Sequence, residues 1–230
     1  MASVEEVINA LGAKAKSGQL EGMARFGITG DRRMGVSVPD MRVIAKECGK
    51  DHQLALDLWE TGIPEAMIVA SIVDVPDQVT EGQMDDWVTD FNSWDVCDQV
   101  CGNLFDKTPL AWDKIPEWSK REAEFEKRAA YALIATLAWH DKEATDEDFA
   151  RQMPIIKAGA DDERNYVKKG VSWALRNIGK RNPNLNKIAM GTAGELLAME
   201  SKTAQWIARD TKRDITSEAT RRRFERLANK

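Results

Sequence analysis

From Val4 to Asn229 the sequence is one helix-period segment after another. Each is roughly 10 to 18 residues long, with breaks marked by Pro, Gly, Asp or Asn and no convincing strand alternation. Helices of this length are marginal alone and form only by burying an apolar face. The segment Pro64 to Val73 is apolar almost all round and must be covered on every side. Many similar helices, several of them apolar on more than one face, predict an all-α chain built as an α-solenoid of antiparallel helix pairs. No strict internal repeat is visible, so the repeats would be divergent, and a globular helical bundle is the alternative. The solenoid matters for function because stacked pairs offer a concave face where residues distant in sequence can meet.

Local signals set the expected boundaries. Val4 to Ala15 should stop at Ser17-Gly18, and Pro39 suits the first turn of a helix to about Cys48. His52 to Glu60 ends before Gly62, and Thr80-Glu81-Gly82-Gln83 has capping-box spacing ahead of a helix towards Asp90. Thr108-Pro109 should open a short helix to Trp118, and Arg121 to His140 should be the longest. Thr145 caps the next, Asp161 starts one through Lys180, Asn182-Pro183 starts another to about Glu200, and Thr203 to Asn229 gives two more. The stretch Gly27 to Val38, with Gly27, Gly30 and Gly35 around Arg32-Arg33, reads as loop.

At 230 residues, 31% charged and 43% hydrophobic, the chain is expected to form one domain, residues 1–230. No apolar run approaches a membrane span and no secretory signal is visible, which points to the cytoplasm. Cys48, Cys97 and Cys101 read as reduced thiols. With only His52 and His140 beside them, a zinc site is not expected. The net charge of -5 argues against a polyanion partner, but its distribution argues for one. Residues 1–120 hold 11 Lys+Arg against 21 Asp+Glu, and residues 121–230 hold 22 against 17.

Three helices carry residues that packing alone does not explain. In Ser93 to Phe105, Val96, Cys97, Val100, Cys101 and Leu104 fill an apolar arc, while Asp95, Gln99 and Asn103 fill most of the other side. Trp94 and Asp98, four apart, stack at the rim of that arc. They are either a core Trp with a nearby surface Asp, or an aromatic ring and a carboxylate facing a common ligand. In Glu163 to Arg181, Trp173 points away from the apolar face among Lys169, Arg176, Lys180 and Tyr166. Either another helix covers it or it serves a surface for something negative and partly apolar. Arg128 opens the apolar run of the longest helix and needs an anion: a carboxylate such as Glu124 or Asp98, or a phosphate.

Trp94-Asp95-Val96-Cys97-Asp98, Lys127-Arg128-Ala129-Ala130, Val167 to Arg176 and Lys180-Arg181-Asn182-Pro183, in that order, resemble the AlkD-like DNA glycosylases, the HEAT-like-repeat DNA alkylation repair proteins. The likeness is firmest from about Asp90 to Pro183. It implies that Trp94 and Trp173 flank the deoxyribose of the lesion nucleotide, that Asp98 is the catalytic carboxylate, and that Arg128 lies near the scissile nucleotide and its phosphate. The implied substrate is double-stranded DNA bearing cationic N3- or N7-alkylated purines, hydrolysed in base excision repair without drawing the base into a pocket. The implied catalyst is a monomer needing no cofactor or metal. Lys168, Lys169, Arg176, Lys180 and Arg181 would then hold the backbone. A non-catalytic helical-repeat protein binding DNA, branched or damaged, or a protein partner is the alternative.

Overall fold

The computed structural model describes residues 2–30 and 32–229. Every regular element among them is helical, and no strand is present among these residues. No helix among them is long and apolar enough to cross a membrane. The chain divides into two compact units, residues 1–110 and 111–230.

The N-terminal unit contains α1 (Val4–Lys14), α2 (Ser17–Arg25), α3 (Val38–Cys48), α4 (His52–Glu60), α5 (Pro64–Val73), α6 (Glu81–Thr89) and α7 (Trp94–Asn103). Helix α5 is its centre, packed by α1, α3, α4 and α7. That is why its sequence is apolar all round, and every residue of α5 but Ile72 is buried. The core also holds a parallel indole pair, Trp59 on Trp87 at 3.8 Å and 3°, with Phe91 and Phe105 tilted against it. Cys97 and Cys101 are fully buried on α7, while Cys48 is half-buried.

The C-terminal unit contains α8 (Ala111–Trp118), α9 (Glu124–His140), α10 (Asp146–Ala150), α11 (Met153–Ala158), α12 (Asn165–Arg181), α13 (Pro183–Ala198), α14 (Lys202–Ile215) and α15 (Glu218–Ala228). Helices adjacent in sequence pack on each other, α8 on α9, α12 on α13 and α13 on α14, while α12 also lies along α9 and α14. This is the helix-pair pattern expected of a helical-repeat chain. Gly179 sits where α12, α13 and α14 approach closely, since a Cβ there would lie 2.9 Å from Ile215 Cγ2 and 3.0 Å from Ala189 Cβ.

Most caps follow the sequence signals. Thr80, Thr145 and Asn182 accept from amides of their first turns, and Ser3, which the sequence reading did not mark, does the same for α1. Three starts shift. Thr108 is buried and donates to the Phe105 carbonyl, closing a short 3-10 turn, so α8 begins at Ala111. Arg121 spans Glu117 and Glu126 before α9 begins, and Asp162 is gripped by Arg164 and Lys127 before α12 begins. In the last two cases, side-chain ion pairs compete with the helical first turn. Helix α2, which the sequence reading did not mark, forms between Ser17 and Arg25 with no buried residue.

Candidate nucleic-acid interface

In the N-terminal unit, Trp94 and Asp98 occupy successive turns of α7 and both are half-buried. The side of α7 that reads as polar is not solvated. Asp95 is 8% exposed and accepts two parallel bonds from Arg33, Nη1 to Oδ2 and Nη2 to Oδ1, both 2.7 Å. Arg33 Nη2 also donates to Ser93 Oγ at 2.8 Å, and its Nε to the Thr29 carbonyl at 3.2 Å. Asn103 donates to Ser71 Oγ on α5 and accepts from Arg42 on α3. The glycine-rich loop segments 26–30 and 32–36 therefore cover the start of this helix, and α3 and α5 cover its end.

That loop also fixes the candidate ring. Trp94 Nε1 donates to the Phe26 carbonyl at 3.0 Å, which sets the indole's orientation at its wet edge. From the other side, the buried Glu65 Oε1 at the start of α5 accepts from the amides of Met34 and Gly35, at 3.1 and 2.9 Å. Gly35 has φ of +74°, and a Cβ would lie 2.7 Å from the Lys16 carbonyl oxygen, so the loop closes here only with glycine. Arg33 is the residue that sequence reading missed. An Arg-Arg pair in a loop carries no sign of which member turns inward.

In the C-terminal unit, Arg128 is 5% exposed and donates from Nη1 to the Tyr166 carbonyl at 2.6 Å. Glu124, one turn earlier on α9, accepts from the Tyr166 amide at 3.0 Å. The two side chains thus hold both polar groups of residue 166 and fix the start of α12 against α9. Arg128 also runs beside Gly170, whose Cβ position would be 3.5 Å from Arg128 Cγ. Tyr166, Gly170 and Trp173 share one strip of α12. Trp173 is half-buried, not sealed beneath another helix, and so lies two turns along the strip that Arg128 supports.

The candidate phosphate-binding cations fall into two groups. Lys168 lies over the ring of the partly exposed Trp206 at 5.0 Å, and the exposed Lys169 is 6.0 Å from the Tyr166 ring. The others have internal partners. Arg176 reaches Asp210 and Asp214 at 3.4 and 3.5 Å, and Lys180 reaches Asp214 at 2.8 Å. With Ser172 donating to Asp210 at 2.7 Å, these contacts stitch α12 to α14. Arg181 donates to the carbonyls of Ala138 and Ala144 and stacks over Phe149 at 4.6 Å. It satisfies the open carbonyl end of α9, where a cation is favoured.

Comparison with known proteins shows the family and the fold. A family model described as DNA alkylation repair enzyme matches residues 7–215, nearly the whole chain. The chain belongs to the DNA alkylation repair enzyme family. No curated protein matches it significantly. A solved structure described as "a new family of proteins related to the HEAT-like repeat DNA glycosylases with affinity for branched DNA structures" matches with a TM-score of 0.76 and 19% identity, covering 92% of this chain and 95% of that one. At this identity the match shows the fold: a HEAT-like-repeat, all-α architecture. Within this family member, Trp94 and Asp98 belong to the N-terminal unit and Arg128 and Trp173 to the C-terminal unit.

Proposed function

We propose that this family member is a DNA glycosylase that hydrolyses the N-glycosidic bond of cationic N3- and N7-alkylated purines in duplex DNA. The observation that carries the reading is the Trp94/Asp98 pair. A half-exposed carboxylate stands one turn from an indole whose orientation is fixed by the Phe26 carbonyl. A cationic alkylpurine departs as a neutral base, so little general-acid help is needed. Positive charge instead develops on the sugar. An ionised Asp98 would stabilise that charge and orient the water that adds to the sugar carbon, while the faces of Trp94 and Trp173 favour a cation beside them. Water's oxygen bonds to the sugar carbon, the carbon–nitrogen bond breaks with its electrons going to the base, and the water proton is released.

Arg128, held by Tyr166, would lie near the lesion phosphate, and Lys168 and Lys169 are the cations readiest to meet the backbone. Arg176, Lys180 and Arg181 would join only by exchanging their present partners for phosphate. No step calls for a metal or cofactor, and a monomer suffices.

The test is release of 7-methylguanine from methylated duplex DNA. Wild type should release base well above buffer, and Asp98→Asn should be slower by about 100- to 1,000-fold, the range for removing one preorganised electrostatic stabiliser. No release by wild type would overturn the enzyme reading. A second reading, a non-catalytic DNA-binding protein, is favoured by the structural neighbour's described affinity for branched DNA. It predicts binding to a four-way junction in preference to duplex, unchanged by Asp98→Asn.

A further inference from the structure

Helix α15 lies beyond residue 215, outside the part of the chain that the family model matches. Its inner face docks on the C-terminal unit. Thr220 is buried and donates to the Asp214 carbonyl at 2.9 Å, and Arg223 Nε donates to the Lys180 carbonyl at 2.7 Å. The Arg223 guanidinium lies 4.2 Å from the ring of Trp139, which is 38% exposed. The outer face carries Arg221, Arg222 and Arg226, all exposed. Residues 216–230 hold five Lys+Arg against two Asp+Glu, in a chain whose net charge is -5.

These charges are only partly compensated. Arg223 has its proton affinity lowered, first by burial and then by the neighbouring charges of Arg226 and Arg181. By contrast, Arg176 and Lys180 on α12 are matched by Asp210 and Asp214. On the outer face Glu218 pairs with Arg222 one turn away, and Glu225 lies beside Arg222 and Arg226. A surface with this excess of positive charge, built on an Arg–Trp stack, fits a repeating anion with planar groups alongside. DNA has that character.

We propose that α15 is an accessory DNA-backbone contact, docked by Thr220 and Arg223 and presenting Arg221, Arg222 and Arg226 to phosphates. It extends the interface of the DNA-acting reading above and rests on that reading. Arg223 holds the helix in place, and the three outer arginines supply the ionic contacts.

The experiment is a salt titration of duplex binding by fluorescence anisotropy with the full chain. Each phosphate contact contributes about 0.9 to the slope of log affinity against log salt. The variant Arg221→Ala/Arg222→Ala/Arg226→Ala should lose about 2 to 3 from that slope and bind at least about tenfold more weakly at low salt. The matching triple Arg→Lys variant should keep the slope. An alanine variant with the wild-type slope and affinity overturns the proposal, as does a lysine variant that behaves like the alanine one. Wild type that binds no duplex overturns both the proposal and the reading beneath it. Absence of base release with an intact slope difference overturns catalysis alone.

Discussion

Replacing Arg33 with methionine removes a guanidinium that is 8% exposed but keeps most of the side chain's volume. It leaves the Asp95 carboxylate, also 8% exposed, without its bidentate partner and frees Ser93 Oγ from a 2.8 Å bond. Breaking one side of a buried pair costs about 3–5 kcal/mol, because the remaining charge is desolvated and uncompensated. The loop can limit that loss by lifting away, so the damage should appear first as local opening. The amides of Met34 and Gly35, both bonded to Glu65, report that opening. A loss of about 3 kcal/mol corresponds to roughly 100-fold faster exchange, and native-state hydrogen exchange reads it directly. Arg33→Lys should not rescue, since an ammonium cannot make the parallel pair of bonds. The double variant Arg33→Met/Asp95→Leu should recover most of the loss, because an apolar pair of similar size replaces a buried ion pair at little cost. Exchange within about threefold of wild type in Arg33→Met would refute the reasoning, and so would a double variant whose loss is the sum of the two singles.

Two further outcomes follow from the C-terminal unit. Gly179→Ala gains up to about 1 kcal/mol of helix propensity, but its methyl would press on Ile215 and Ala189 at 2.9 and 3.0 Å, an overpacking cost of about 1–3 kcal/mol. A lowered Tm is expected, and a raised one would show that α13 and α14 yield freely. The Asp162 carboxyl is held well below the usual range, chiefly by Arg164 and further by Lys127, against the opposing effect of burial. A carboxyl depressed in the folded state stabilises it fully above the unfolded pKa of about 3.9, and that contribution fades as pH falls through the folded value. The stability difference between wild type and Asp162→Asn should therefore be constant from neutral pH to about pH 5 and shrink below about pH 4. A difference that grows on acidification contradicts the assignment.

The helical layout was legible because its signals are local. Pro64 to Val73 shows its central position in its own composition, and Asn182-Pro183 marks a start within two residues. The rim position of Trp94 and Asp98 follows from spacing along one helix. What could not be read depends on partners far along the chain. Asp95 and Asn103 look like a solvated face, but Arg33, 62 residues before Asp95, and Ser71, 32 before Asn103, bury them. The cations of α12 look like one phosphate-binding set. Asp210 and Asp214 on α14, spaced to match successive turns, already neutralise Arg176 and Lys180. Periodicity shows which side of a helix is polar, but not which other helix brings the opposite charge.

In the proposed reaction the protein works on DNA that electrophiles have attacked, and its own sulfur atoms would be competing targets. The species an electrophile captures is the thiolate. Cys97 and Cys101 have no solvent-exposed surface, and burial pushes the Cys101 thiol well above its ordinary range. Cys48 is more open, yet burial, Glu47 and Glu6 together raise it too. The packing of α7 that brings Trp94 and Asp98 to the surface also seals the two thiols of that helix inside. The same helix that meets alkylated DNA in the proposed reaction thus keeps its own nucleophiles out of an alkylating agent's reach.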